Sequence, residues 1–304
     1  MNDSVNDLVI SAIKLPDSYG RTYGWEHFVT HVVSLESAGF QGTKVLLVQN
    51  IDTSIRDKFI EHGYTLIGFE EGEPFWTTRH NPLVSFLKDN YQRFRYLIWA
   101  DVRDLVFQTN PITWLLNNLK EPNRIVAVSK GVSFTAQPIN GLWLRQVVGE
   151  DKYSSMQHET VYSYGVTAGY ADSMYSMFCS IKDTLYSSKE NLIDQAVFNY
   201  VLRQEPFRGI TFVPRYELGF ASSLHCFLIP STTLAPGHTR NEPMPVLSDG
   251  LIYPEGKDTP FSIVHHHDAD ARWLEAVQNR YKGITHDSGH ASVPLLRQRR
   301  VFTR

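Results

Sequence analysis

The stretch Tyr96-Leu97-Ile98-Trp99-Ala100-Asp101-Val102-Arg103-Asp104-Leu105-Val106-Phe107 decides the reading of this chain. An apolar run of strand length ends on two closely spaced carboxylates, and the apolar pattern then resumes. A buried strand that stops at acids sets them at the rim of a sheet, facing a crevice. Hard divalent cations such as Mg²⁺ and Mn²⁺ take carboxylate oxygens in such places, and the ion in turn holds phosphate oxygens. The sequence thus predicts a site for a metal and a nucleoside diphosphate at Asp101 and Asp104.

Upstream of this stretch the chain alternates. Residues 8–13, 44–48 and 64–69 read as buried strands. Residues 25–38, 53–62 and 77–90 carry helical apolar spacing, the last with Leu83, Phe86 and Leu87 inward. Gly39 and Gly63 stand just past two of these segments, where a helix stops. Strand and helix in alternation predict an α/β fold, a mostly parallel sheet covered on both faces. Ligands of such sheets bind beyond the carboxyl ends of the strands, which is where the two acids fall. The second half is more mixed. Strands are expected at 124–129, 162–170, 210–213 and 261–264, and helices at 140–148, 171–185, 191–203 and 270–281. The proline-rich stretch 230–260 reads as a long ordered loop.

Composition narrows the function. The chain has 304 residues, 42% hydrophobic and 20% charged, enough for a sizeable core. A formal net charge of -3 speaks against nucleic acid as a partner. The two cysteines, Cys179 and Cys226, cannot build a disulfide framework or a cysteine zinc site, so a reducing compartment is expected. Met1-Asn2-Asp3-Ser4 lacks the basic start of a secretory signal, and no apolar run approaches the roughly 20 residues of a transmembrane helix. A soluble cytoplasmic protein is the expectation. The arginines of the tail, Arg297, Arg299, Arg300 and Arg304, offer a peripheral contact with anionic membrane as the alternative to a free terminus.

The motifs resemble those of GT-A-fold glycosyltransferases, in particular a group with D-x-R-D-x-x-F-Q-x-(D/N)-P after a strand, here Asp101 to Pro111. Three further matches follow in chain order: Gly165-Val166-Thr167-Ala168-Gly169, Asp194-Gln195 at a helix start, and Ile263-Val264-His265-His266-His267-Asp268. The resemblance covers about residues 8 to 275. It implies a Rossmann-like, mostly parallel central sheet flanked by helices, with a mixed acceptor-binding half. One domain would span 1–282, its nucleotide half about 1–130 and its acceptor half about 131–282, ahead of a polar tail at 283–304. The chain departs from the group by spacing its acids D-x-x-D. It also places His266 and His267 where Gln and Tyr are usual, and Ala269 where Arg is.

The resemblance also implies roles. Asp104 and His265 would ligate Mn²⁺ or Mg²⁺, with Asp101 as a further ligand or a ribose contact. The mixed oxygen and nitrogen set leans toward Mn²⁺. The donor would be a UDP-sugar, with a GDP-sugar as the alternative, and the acceptor a glycan hydroxyl. Asp194, with Gln195, would work beside that hydroxyl as a base or as a steadying charge. Arg79 would reach the diphosphate or the base, and Arg103 would orient a neighbouring carboxylate. Gly165 and Gly169 would let backbone approach the sugar, against a plain bulge reading. Tyr19, Tyr23 and Trp25 could stack on a ring or simply pack the loop. A rival from another class is a metal-dependent phosphohydrolase using Asp101, Asp104 and the His265–Asp268 cluster. The opening strand–helix alternation weighs against the mostly helical histidine–aspartate hydrolases.

Overall fold

The computed structural model describes residues 6–17, 20–69, 74–188 and 190–282. Tyr19 and the arginine-bearing tail therefore lie outside the described residues. Strands β1 (Asn6–Lys14), β2 (Thr43–Gln49), β3 (Tyr64–Gly68) and β4 (Phe94–Ala100) pair in parallel in the order β3-β2-β1-β4. The helices Val29–Ser37, Thr53–Glu61 and His80–Asn90 connect them. Parallel strands need such crossovers, which is why the early sequence shows so regular an alternation. Gly39 and Gly63 take positive φ just past two helix ends, as their positions predict.

β1 shows how the sheet is packed. Leu8, Ile10 and Ala12 face one side, with Leu47, Leu83, Leu87 and Trp99. Val9 faces the other, with Leu35, Ile98 and Ala100. Burial on both faces explains the unbroken apolar runs. Each leucine, isoleucine or valine fully buried in this way contributes about 1.5–3 kcal/mol.

The chain then continues through β5 (Leu105–Phe107), β6 (Ile125–Ser133), β7 (Thr160–Tyr170), β8 (Thr211–Phe212) and β9 (Ala221–Ser223). β7, β6 and β8 extend the first sheet to seven strands, in the order β3-β2-β1-β4-β7-β6-β8. β7 alone runs against the rest, antiparallel to both β4 and β6. The mostly parallel α/β class is thus the observed one. The 130/131 division expected between the two halves falls inside β6.

Several expectations change. The helix expected at 77–90 is two pieces, Phe75–Thr78 and His80–Asn90, with Arg79 at the joint. The helix expected at 140–148 runs from Pro138 to Met156, broken by Gly149 at φ 75°. The stretch 230–260 is not only loop: it holds the antiparallel hairpin of β10 (Val246–Ser248) and β11 (Leu251–Tyr253). The last strand, β12 (Ile263–His265), joins a separate small sheet, between β5 and β9. That sheet carries the late motif back to the acidic one. Among the described residues, no helix is long and apolar enough to cross a membrane.

Candidate active site

β4 ends at Ala100, and Asp101 follows at its carboxyl edge, its backbone N–H donating to the Gly165 carbonyl at 2.8 Å. Four residues on, the chain enters β5, whose Leu105 is registered opposite His265 of β12. This pairing brings a residue near position 100 against one near position 265. The His266 N–H donates to the Asp104 carbonyl at 2.7 Å, and His267 Nδ1 lies 3.0 Å from the same oxygen. The late histidine motif is therefore wrapped around the backbone of the acidic one.

The side chains converge at the same point. His265 Nε2 lies 3.3 Å from Asp101 Oδ2 and 3.3 Å from Asp104 Oδ1, yet it has no hydrogen-bond partner among the described residues. Its other nitrogen faces Ser163 Oγ at 3.3 Å, which orients the ring. A metal with bonds of roughly 2.0–2.2 Å sets neighbouring ligand atoms about 3.0–3.4 Å apart. The His265 nitrogen stands at that spacing from each carboxylate, so the residues around it fit a divalent cation. Asp104, His265 and His266 have ligand atoms that all lie within 4.8 Å of one another.

Electrostatics reinforce the cluster. Burial works to raise the Asp104 carboxyl, but His265 and His266 hold it well below the ordinary carboxylate range. Burial opposes protonation of His265, yet Asp104 and Asp101 lift it to about 9. Arg103 donates to Asp104 Oδ2 at 2.8 Å and also pairs with Asp268, so it holds the acidic loop as expected.

Arg79 stands on the other flank. Its Nε and Nη2 donate to Asp194 Oδ2 at 3.0 and 2.7 Å, while Nη1 lies 3.9 Å from Asp101. The guanidinium sits over the rings of Trp99, Phe75 and Tyr164, a geometry worth a further ~0.5–2 kcal/mol. Burial raises the Asp194 carboxyl while Arg79 pulls it down. Burial prevails, so the carboxyl is raised even though its Oδ2 is engaged with Arg79.

Gln195 spends its amide on the backbone of β7. Its Oε1 accepts the Tyr164 N–H at 2.9 Å and its Nε2 donates to the Tyr162 carbonyl. Asn199, one turn along, binds both backbone groups of Tyr162. Both side chains come from the helix Asp194–Val201. Together they pin a bulge in β7, where the β6 register jumps from Ala127↔Thr167 to Val128↔Ser163. Bulges of this kind re-aim side chains next to active sites.

The two glycines separate. At Gly165 a Cβ would fall on His265 Cε1 and, at 2.5 Å, on Asp101 Oδ2, so the missing side chain makes room for the site itself. Gly169 lies at the far end of β7, opposite Leu97 and Ile125, where a Cβ would meet the Arg124 carbonyl at 2.5 Å. Its absent side chain serves strand packing, and the structure does not bring it to the cluster. Trp25 packs on Phe59 and His62, away from the site. Tyr23 lies under Arg103 and lines a cleft of about 260 Å³ with Phe75, Arg79, Asp101 and Asp104. A larger hollow of about 740 Å³ opens at the amino ends of the strands, around Asp7, Gly42 and Arg93, and gathers no histidines.

Two neighbours had no motif to announce them. Lys130, 8% exposed on β6, forms no ion pair among the described residues. Burial lowers its pKa, against the pull of Cys226, Asp101 and Asp104. The His225 ring lies beside that of His266, with centroids 5.4 Å apart and planes tilted by 45°. A lysine in a strand pattern gives no signal; only the unusual burial reveals it.

No protein-family model matches the chain, and no curated protein matches its sequence. Among solved structures, the apo form of mouse xyloside xylosyltransferase 1 has a similar fold, with a TM-score of 0.50. The likeness covers 86% of this chain and 97% of that one, at 13% sequence identity. The chain therefore has the fold of a known glycosyltransferase.

Proposed function

We propose that this chain is a metal-dependent glycosyltransferase. It would move a hexose or pentose from a nucleoside-diphosphate sugar, a UDP-sugar in preference to a GDP-sugar, to a hydroxyl of a glycan acceptor. One observation carries the reading: the orphaned His265 nitrogen stands between Asp101 and Asp104 at the carboxyl edge of β4. The fold shared with a xylosyltransferase supports it.

Asp104, His265 and Asp101 would hold Mn²⁺ or Mg²⁺, which when bound supplies Lewis-acid stabilisation of the departing diphosphate. Arg103 fixes the Asp104 carboxylate from behind. Lys130 brings a cation without a carboxylate partner to the same side, suited to a phosphate oxygen. Tyr23 and Phe75 offer aromatic walls to the base. Asp194 acts through Arg79, holding the guanidinium toward Asp101 where charge develops as the sugar leaves. Gln195 positions the β7 bulge, and with it Gly165 and Ser163.

Calorimetric titration of UDP, and of GDP in parallel, with and without Mn²⁺ tests the proposal. UDP binding that requires the metal, and that Asp104→Asn removes, is the expected result. A preference for GDP would change the donor and keep the reaction. Binding of neither nucleotide under any metal would remove the transferase reading and favour the phosphohydrolase.

A further inference from the structure

β-Strand alternation would point His265 and His266 to opposite faces. The backbone does otherwise. His266 adopts φ 61° and ψ 36°, the left-handed region that a non-glycine residue enters at a cost. That turn folds the second imidazole back onto the first. The rings stack with centroids 3.6 Å apart and planes 23° from parallel. His266 Nδ1 then lies 3.1 Å from Asp104 Oδ2, while His265 Nε2 lies 3.3 Å from Asp104 Oδ1.

We propose that His266 is a second nitrogen ligand of the metal held by Asp104 and His265, so that the site selects a nitrogen-tolerant ion and rejects Mg²⁺. The inference rests on the metal site of the transferase reading and adds to it the identity of the ion. Its geometric basis is the convergence of ligand atoms of Asp104, His265 and His266 within 4.8 Å of one another; the 3.1 Å hydrogen bond between His266 Nδ1 and Asp104 Oδ2 is short enough for both atoms to bind one ion once the shared proton is released. The strained backbone at this one residue supplies the second reason. Without a task for its side chain, a glycine or asparagine would fit the position at lower cost. A site of two imidazoles and carboxylates suits Mn²⁺, Co²⁺ or Zn²⁺, whereas Mg²⁺ takes oxygen.

The test is pulsed electron paramagnetic resonance of Mn²⁺ bound to the full chain, together with Mn²⁺ and Mg²⁺ affinities measured by calorimetry. The natural chain should show two imidazole nitrogen couplings. His266→Asn keeps a residue at ease with positive φ and a donor for Asp104, but removes the imidazole. It should show one coupling, and its preference for Mn²⁺ over Mg²⁺ should fall at least roughly tenfold. His266→Gly, which also suits the backbone, should regain the second coupling when imidazole is added. A single coupling in the natural chain, or an unchanged ion preference in His266→Asn, would overturn the inference and leave the transferase reading untouched if UDP still binds. Two couplings without any nucleotide binding would uphold the ligand and remove the transferase.

Discussion

Gly165 and His265 share one volume: the space a side chain at 165 would take is the space the imidazole fills. The pairing joins strands far apart in sequence, and it makes the glycine at 165 a condition for the proposed metal site.

Gly165→Ala should leave the fold intact and weaken Mn²⁺ binding by at least roughly tenfold, because His265 must move off Asp101 and Asp104. Calorimetry with Mn²⁺, beside a circular dichroism spectrum, checks this. Undiminished Mn²⁺ affinity would show that His265 is not held where the metal needs it.

Arg79 and Asp194 form a buried ion pair, with side-chain exposures of 11% and 6%. Removing Asp194 leaves Arg79 only the 3.9 Å contact with Asp101 and its ring faces, so Asp194→Ala should cost about 3 kcal/mol of stability, the low end for breaking a buried pair. Replacing both, as Arg79→Met with Asp194→Leu, should restore most of that loss, since an apolar pair of similar volume is often as stable. Transfer should stay absent in the double variant. Denaturant melts and a transfer assay separate the two effects, and a double variant that still turns over would reduce the pair to a structural contact.

Lys130→Met should leave Mn²⁺ affinity in the absence of nucleotide unchanged. UDP affinity at saturating Mn²⁺ should fall about tenfold, as expected for one lost charge-assisted contact. Titrations of metal and nucleotide in sequence give both numbers. Equal UDP affinity in the two proteins would move Lys130 out of the donor site.

His31 and His80 are fully buried, and burial pulls both pKa values down to about 3. The unfolded chain binds these protons near pH 6.5. Their contribution to stability is thus complete above about 6.5 and is lost as pH falls toward 3, at about 1.4 kcal/mol per pH unit for each histidine. These two histidines should make the melting temperature decline below pH 6.5, while His265, lifted to about 9, should make the metal-free protein lose stability again as pH rises from 6.5 to 9. His31→Leu, which keeps the packing on Phe107, should make that decline shallower; an unchanged slope would place the acid sensitivity elsewhere.

Much of the fold was legible because β1 to β4 are buried on both faces and joined by helices of ordinary length. Periodicity reports such segments directly, and the acids at 101 and 104 mark where the apolar strand stops. β5 and β9 were less legible, since three-residue strands have no period to read, whereas β12 was expected at 261–264 and lies at Ile263–His265. The hairpin at Val246–Tyr253 hid among prolines for the same reason. The turn at His266 was not legible, because a positive φ at a histidine leaves no trace in composition. Gln195 was read as chemistry because a motif cannot show that both ends of an amide are already spent on backbone. Lys130 had no motif at all; its meaning comes from burial without an ion-pair partner.

The reversal of β7 has a consequence for how this protein can change. In a wholly parallel sheet the crevice meets only the trailing ends of strands, and loops there can lengthen freely. Here the Ser163–Gly165 stretch reaches the crevice from the leading half of a strand clamped between two neighbours. Asp101 donates to Gly165, and Ala100 is registered on Val166. One residue inserted or deleted before Gly165 would bring Tyr164 or Val166 beneath the imidazole. Drift by substitution is open to β7 at many positions, but a change of length between its bulge and Asp101 would extinguish the site in a single step.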